Sequence, residues 1–268
     1  MNPKLNLSPE RQAYLKQVRR RKIAVLTTQL FILVAVFVLW EISAKMHWID
    51  PFITSQPSRM ITTLKNLHYD GHLYLHLGIT IWETFIGFAV GTLGGILIAI
   101  MLWWSDFLNK VSEPYLVVLN ALPKVALGPI IIVWLGNGQP AIIAMALLIS
   151  IVVTIISLLN GFLTVDQDKI KLLKTFGANK YQILCKVILP ASLPNIIAAL
   201  KVNVGLSWVG VIMGEFLVSK AGLGYLIVYG SQVFKLDLVM TSVTVLIVAA
   251  AVMYLAVAYL EKKLLKWQ

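Results

Sequence analysis

Charge is what this chain has least of: Asp, Glu, Lys and Arg make up 13% of its 268 residues, whereas 59% are apolar. Soluble domains run at roughly 25% charged and about 45–50% apolar. A water-exposed fold could not cover this much apolar surface with so few charges, whereas lipid needs no such cover. A single cysteine, Cys185, excludes an intrachain disulfide framework. No Gly-Lys pair occurs, so the chain cannot cradle ATP phosphates in a P-loop, and His-Glu-x-x-His and Gly-x-Ser-x-Gly are absent as well. An enzymatic reading therefore has no catalytic, metal-binding or cofactor-binding residues to stand on. Acidic residues number 12 against 23 basic ones, a net charge of +11. On a lipid-embedded chain such an excess sets membrane orientation rather than nucleic-acid binding.

What the sequence has in abundance is long apolar runs. Ile23–Ile42, Ile79–Trp104, Tyr115–Leu135, Ala141–Phe162, Ile196–Leu217 and Leu238–Leu260 each reach the length of about 20 residues that spans a bilayer as a helix. None alternates as a transmembrane strand would. The expectation is an all-α integral membrane protein of six transmembrane helices. Basic residues gather before the first run (Lys4, Arg11, Lys16, Arg19, Arg20, Arg21, Lys22), within 164–195 (Lys169, Lys171, Lys174, Lys180, Lys186) and at the C-terminus (Lys262, Lys263, Lys266). Lys110, Lys124 and Lys201 flank other run ends on the same side, leaving Lys45, Arg59, Lys65, Lys220 and Lys235 elsewhere. The positive-inside rule then places both termini in the cytoplasm. Residues 1–22 read as a basic cytoplasmic segment and 23–42 as a retained anchor, too long in its apolar stretch for a signal peptide. Residues 43–78 are extracytoplasmic, 79–260 form a core of five spans, and 261–268 form a cytoplasmic tail.

The extracytoplasmic segment reads as an initial loop at Ile49-Asp50-Pro51, a helix starting at Gln56-Pro57-Ser58 and a turn at Asp70-Gly71. His68, His72 and His76 are spaced four apart, which on one helix would suggest a metal site. Gly71 breaks that helix, so they read as ordinary interfacial histidines beside His47.

Glu41, Glu83 and Glu215 are expected near span ends, in reach of water, with no paired carboxylates deep in a span of the kind a proton-coupled carrier shows. Lys124 and Lys201 are expected to snorkel to the cytoplasmic interface. Gly87, Gly91 and Gly95, with Gly94 adjacent, make a smooth stripe for close helix packing. Pro123 and Pro129 interrupt the third run and remove backbone donors. Irregular backbone at membrane depth survives only where protein buries it or a cavity is lined, so Pro123, Val125, Gly128 and Pro129 are path-wall candidates. Glu215, Gly222 and Gly224 join them as candidates for an extracytoplasmic gate, either a moving turn or a static one.

Between the fourth and fifth runs, Val165–Pro194 reads as two short amphipathic helices around a turn at Gly177, closed by Pro190 and Pro194. A basic helix pair of this kind either rests on lipid headgroups or docks a soluble partner. Lys174-Thr-Phe-Gly177-Ala-Asn, followed by Ile188-Leu-Pro190-Ala-Ser-Leu-Pro194, resembles the signature loop of permease subunits of bacterial ATP-binding-cassette (ABC) importers. Further landmarks are similar to the nitrate/sulfonate/taurine branch of binding-protein-dependent permeases: Gly87-Phe, Glu113-Pro114, Leu122-Pro123 through Gly128-Pro129, Trp134-Leu-Gly136-Asn-Gly138, Gly214-Glu215 and Gly222-Leu-Gly224. There are two departures. The family's Glu-Ala-Ala is Lys171-Leu172-Leu173 here, and position 83, often Arg in relatives, is Glu.

The resemblance implies a type I ABC importer permease core with no cofactor of its own, ATP being bound by separate ATPase subunits. It implies two permease copies, or one copy and a related subunit, forming the path, and an extracytoplasmic solute-binding protein delivering a sulfonate, taurine, nitrate or related small molecule. It makes Lys171, Lys174, Thr175, Phe176, Gly177, Ala178 and Lys180 the ATPase-docking element. The contrasting readings are a secondary carrier working without ATPases and a membrane scaffold that transports nothing.

Overall fold

A computed structural model describes residues 8–264; Lys4, Lys266 and the rest of the expected tail beyond Leu264 lie outside the described residues. The chain divides into two units, Met1–Thr62 and Thr63–Gln268, which are described in turn. Among the described residues there is no strand, and five helices are long and apolar enough to cross a membrane. A helix pair bent by 87° is together long and apolar enough to count as a sixth, as a broken span or a re-entrant loop.

In the first unit, helix α1 (Pro9–Lys45) starts at Ser8, whose side chain accepts the Arg11 amide, with Pro9 in the first turn. The expected basic segment is thus no separate element from Pro9 onward; it is the polar start of the same helix. Only Ala44 of α1 is buried, and Leu26, Phe31, Val36 and Leu39 are all exposed, the pattern of a helix solvated by lipid. Asp50 caps the short α2 (Pro51–Thr54) by accepting the Phe52 amide at 2.8 Å. Glu41 pairs with Lys45 at 2.9 Å and accepts the Ser58 amide at 3.0 Å. Pro57 opens α3 (Pro57–Tyr69).

The second unit is built around α4 (His72–Trp104), α7 (Gln139–Leu163) and α11 (Leu193–Val218), which pack on one another along their length. Small residues set the spacing. A Cβ on Gly87, Gly91 or Gly95 of α4 would come within 2.7 Å of Ala146, 2.5 Å of Ser150 or 2.6 Å of Thr154 on α7. From the other side, a Cβ on Gly210 of α11 would lie 2.4 Å from the Cα of Ala146. Ala146 is therefore held between two helices with no room for a larger side chain, and it is fully buried. The glycine stripe serves packing within the chain, where dispersion contacts between close backbones do what hydrophobic burial does in water.

Ser105 separates α4 from α5 (Asp106–Ala121) and caps the latter by accepting the Leu108 amide. The expected irregularity of the third span is confirmed as the 87° bend: α5 ends at Leu122-Pro123, a 3-10 turn covers Lys124–Leu127, and α6 (Gly128–Leu135) follows with Pro129 in its first turn. Residues 136–138 lead into α7. After α7 come α8 (Gln167–Thr175), α9 (Lys180–Ile183), a π turn (Leu184–Ile188) and α10 (Leu189–Ala191). Pro190 does not close the second short helix, contrary to the sequence expectation. The π turn ahead of it widens the hydrogen-bond spacing and lets the helix continue to Ala191. The break falls instead at Ser192, and Pro194 sits in the first turn of α11. A short α12 (Leu223–Gln232) then leads to α13 (Leu236–Leu264), most of which is exposed. Lys201 Nζ meets Glu261 Oε2 at 2.5 Å, tying α11 to the end of α13.

Candidate functional site

Two constructions stand at opposite ends of the α4–α7–α11 packing. The first surrounds the Gly177 turn. Asp166 caps α8 by accepting the Asp168 amide at 2.9 Å, and α9 opens with a full capping box between Asn179 and Gln182. Between them α8 ends as a left-handed cap. The Ala178 amide donates to the Leu173 carbonyl and the Gly177 amide to the Lys174 carbonyl, both at 3.0 Å, with Gly177 at φ +77°. Beneath the turn, Ile170, Ile183, Leu184 and Ile188 enter one apolar cluster with Leu102 of α4 and Leu158 and Phe162 of α7. The helix pair is therefore packed onto the bundle and not merely resting at an interface. Above the turn, Phe176 stands 79% exposed, with Leu172 and Tyr181 also exposed.

The residues named from sequence at this turn divide by role. Lys174 and Phe176 are exposed, Lys171 is exposed but pairs with Asp168 at 3.1 Å, and Thr175 donates to the Leu172 carbonyl at 2.7 Å. Ala178 faces the apolar cluster below. Lys180 is an anchor: its Nζ donates to the Trp104 carbonyl and lies 5.9 Å and 5.8 Å from the Trp103 and Trp104 ring centres. A cation there complements the carbonyl end of α4. A cavity of about 380 Å³ lies between α7 and α11 near this end, lined by Ser157, Asn160, Thr164 and Asn195.

The second construction is a buried polar cluster that the sequence reading did not foresee. Glu83 and Glu215 are each 1% exposed, not open to water as expected from their places near run ends. Their carboxyl groups meet within hydrogen-bonding reach, so two spans supply the paired carboxylates that no single span displays. Glu215 Oε1 accepts the Thr80 hydroxyl at 2.6 Å, and Oε2 accepts the Gly224 amide. The Leu223 amide donates to Thr80 Oγ1 at 2.8 Å, and the Gly222 amide to His76 Nδ1 at 2.9 Å. Three successive amides at the start of α12 thus end on side chains of α4 and α11, which do the work of an N-cap. His76, read from sequence as interfacial, is buried and stacks on Tyr225. His68 lies on α3 and bonds Tyr74 at 2.9 Å, so the three histidines are split between two helices.

This geometry changes the meaning of Gly222 and Gly224. A Cβ on Gly222 would fall 2.4 Å from the Glu215 carboxyl carbon, and one on Gly224 would fall 2.7 Å from Oε2. Both glycines leave room for the carboxylate that lies against them, and Gly222 also holds φ +118°, a conformation that favours glycine. Gly128 joins this end of the bundle, against Leu217 of α11 and Met145 of α7, while Pro123, Val125 and Pro129 are exposed.

The fold, with a packed helical core, a bent third span and a helix pair crossing one end, is matched by a family model. Residues 91–266 match the binding-protein-dependent transport system inner membrane component. The chain belongs to that family. It is a transport permease, the membrane-spanning subunit of an ABC importer, and not an enzyme. Among its relatives, the aliphatic sulfonates permease SsuC of Bacillus subtilis is 28% identical, over 87% of this chain and 84% of its own length. The formylaminopyrimidine permease ThiX of Halalkalibacterium halodurans is 27% identical over 93% and 98%, and the taurine permease TauC of Escherichia coli is 24% identical over 88% and 87%. Solved structures share the fold. A chain of the MetNI methionine transporter superposes with a TM-score of 0.59 at 19% identity, covering 70% of this permease and 96% of that chain. A chain of an alginate importer gives 0.65 at 14% identity, covering 94% and 99%. The type I importer architecture expected from the loop is thus the architecture of the permease.

Proposed function

We propose that this permease forms the path for a small solute together with a second copy or a closely related subunit, and that separate ATPase subunits drive it from the cytoplasm. The Gly177 turn lies on the cytoplasmic side with both termini, and the Glu215 end faces out, where a solute-binding protein delivers its load. The distribution of Lys and Arg supports this orientation. The observation that carries the docking assignment is Phe176, which is presented to solvent on a rigid left-handed cap whose base is packed into the bundle. An exposed aromatic on a fixed base, with charge beside it, is how a recurring partner is engaged. Lys171 in place of the usual acidic residue makes this contact basic.

The solute class follows from the company the chain keeps. Its relatives are named for aliphatic sulfonates, taurine and formylaminopyrimidine, and a small organic molecule of that size is the reading for this chain. The buried acid pair by itself would suit a cation-coupled carrier, but membership of the importer family favours ATP as the energy source. Reconstitution decides between them. Proteoliposomes holding the permease, its ATPase subunits and the cognate binding protein should take up solute only with ATP on the ATPase side. Uptake by the permease alone, down an ion gradient, would establish the carrier.

A further inference from the structure

Beside the acid pair lies a cavity of about 260 Å³, lined by Glu83, Asn137, Gln139, Ser219 and Lys220 among others. Glu83 is its acidic wall. Among the described residues, the hydrogen bonds given to the pair from outside it go to Glu215, from Thr80, Gly224 and the Tyr225 backbone. Glu83 Oε2 is buried with no hydrogen-bond partner, in a residue 1% exposed. Buried acceptors are nearly always satisfied, and an orphan carboxylate oxygen is costlier than a neutral one. Two carboxyl groups in contact also repel unless a proton or a cation offsets one charge. A proton shared within the pair offsets one charge but leaves the orphan oxygen bare; a positive group in the cavity that donates to Glu83 answers both. Asn137 and Gln139 bring side-chain carbonyls to the same wall, the hard oxygen donors that suit an ammonium group or an alkali cation, while the Ser219 hydroxyl is engaged with Ala221. The only basic residue lining the space, Lys220, is exposed.

We propose that Glu83, held against Glu215, is the binding point for a compact cationic group in this cavity. That group is the protonated nitrogen of the transported solute or an alkali cation that accompanies it. The cavity is large enough for a small organic molecule and polar enough to orient one. In the first case the permease discriminates in favour of solutes with a positive end, which taurine carries and a plain aliphatic sulfonate lacks. The proposal rests on reading the chain as a solute permease, but its test measures binding alone. Failure of cation binding leaves the importer reading standing, and failure of ATP-driven uptake leaves the binding result standing.

The test is thermal unfolding of the full-length permease in detergent micelles, followed by tryptophan fluorescence at constant ionic strength. The probes are methylammonium chloride, sodium chloride and potassium chloride, each against N-methylglucamine chloride, whose cation is too bulky to seat against Glu83. A compact cation at ten times its dissociation constant should raise the midpoint by about 3–5 °C. Glu83→Gln keeps the shape and can still donate to Glu215, yet should weaken that response roughly tenfold in concentration or abolish it. Glu83→Arg places a fixed cation beside Glu215, so that variant should be folded and indifferent to added cation. A response to methylammonium alone assigns the site to a solute nitrogen; a response to sodium or potassium assigns it to an inorganic ion. No cation dependence in the wild type, or an equal response in Glu83→Gln, overturns the proposal. So does a response that appears only in Lys220→Ala, because Lys220 would then be the resident counter-charge.

Discussion

Thr80 gives its hydroxyl hydrogen to Glu215 across 2.6 Å and takes the Leu223 amide at 2.8 Å, so one side chain of α4 locks both the end of α11 and the start of α12. A hydroxyl is the smallest group able to do both, and Thr80 is fully buried. Thr80→Val conserves the shape and removes both bonds, leaving a carboxylate oxygen and an amide unpaired. Destabilisation of about 1–3 kcal/mol is expected, above the average interhelical hydrogen bond in membranes because a carboxylate is involved. Thr80→Ser should recover most of it. Thermal melts of the purified permease check this: a loss in Thr80→Ser with none in Thr80→Val would reassign Thr80 to packing through its methyl group.

Packing along α4 makes a second, reciprocal prediction. Gly91→Ala would push a Cβ to 2.5 Å from Ser150 Oγ, while the Ser150 Cβ lies 3.6 Å away. Overpacking of this kind costs about 1–3 kcal/mol. Ser150→Ala removes the colliding atom, so the double variant should be close to wild type in melting temperature and membrane yield. At Gly87 the colliding atom is the Ala146 Cβ, at 2.7 Å, so Gly87→Ala should be relieved only by Ala146→Gly. If Ser150→Ala fails to rescue Gly91→Ala, the stripe is not held at the spacing described.

At the other end, the exposure of Phe176 separates docking from folding. Phe176→Ala removes no buried contact, and the unfolding midpoint should shift by no more than the equivalent of about 0.5 kcal/mol. An aromatic anchor at a partner surface is worth about 2 kcal/mol or more, roughly a thirtyfold loss of affinity. Co-purification of the ATPase subunits should drop accordingly, with ATP-driven uptake following it. Gly177→Val should act in the same direction with an added folding cost: its Cβ meets open space, and only the left-handed backbone, at about 1–2 kcal/mol, resists it. Undiminished ATPase association in Phe176→Ala would move the docking surface elsewhere.

The sequence was transparent wherever one segment carries the whole signal. Six apolar runs, the Gly71 break, the Gly177 cap and the proline-interrupted span each announce themselves locally, because hydropathy, φ > 0 and a missing N–H are properties of neighbouring residues. The acid cluster was opaque because its members lie on α4, α11 and the start of α12, and only packing joins them. Spacing from a run end placed Glu83 near water, but α4 begins seven residues earlier than the apolar run it contains, so position 83 lies well inside the helix. One signal was available: three small residues, Gly214, Gly222 and Gly224, surround a lone acid at Glu215. Glycines around a carboxylate mark its close approach to backbone as readily as they mark a hinge. The partner of Lys201 was hidden for a similar reason, since Glu261 lies on α13.

The turn at Gly222–Gly224 can be tested as a gate by thiol chemistry. With Cys185 exposed, a Cys185→Ser background is needed before single cysteines are placed at 125 and 223. Val125 is 42% exposed, on the turn between α5 and α6, whereas Leu223 is fully buried with its amide held by Thr80. In the resting permease a water-soluble maleimide should therefore label Val125→Cys, and Leu223→Cys should react at least about a hundredfold more slowly, because labelling requires the cluster to open. Opening exposes Glu215 and parts it from Thr80 and Gly224, a cost of several kcal/mol that thermal motion alone rarely meets. If ATP trapping of the assembled importer leaves Leu223→Cys protected, the turn is a fixed strut and any gate lies along the bent third span. If trapping brings its labelling up to that of Val125→Cys, the amides of α12 leave their side-chain caps during the cycle, and the three bonds to His76, Thr80 and Glu215 are the latch that holds the resting state.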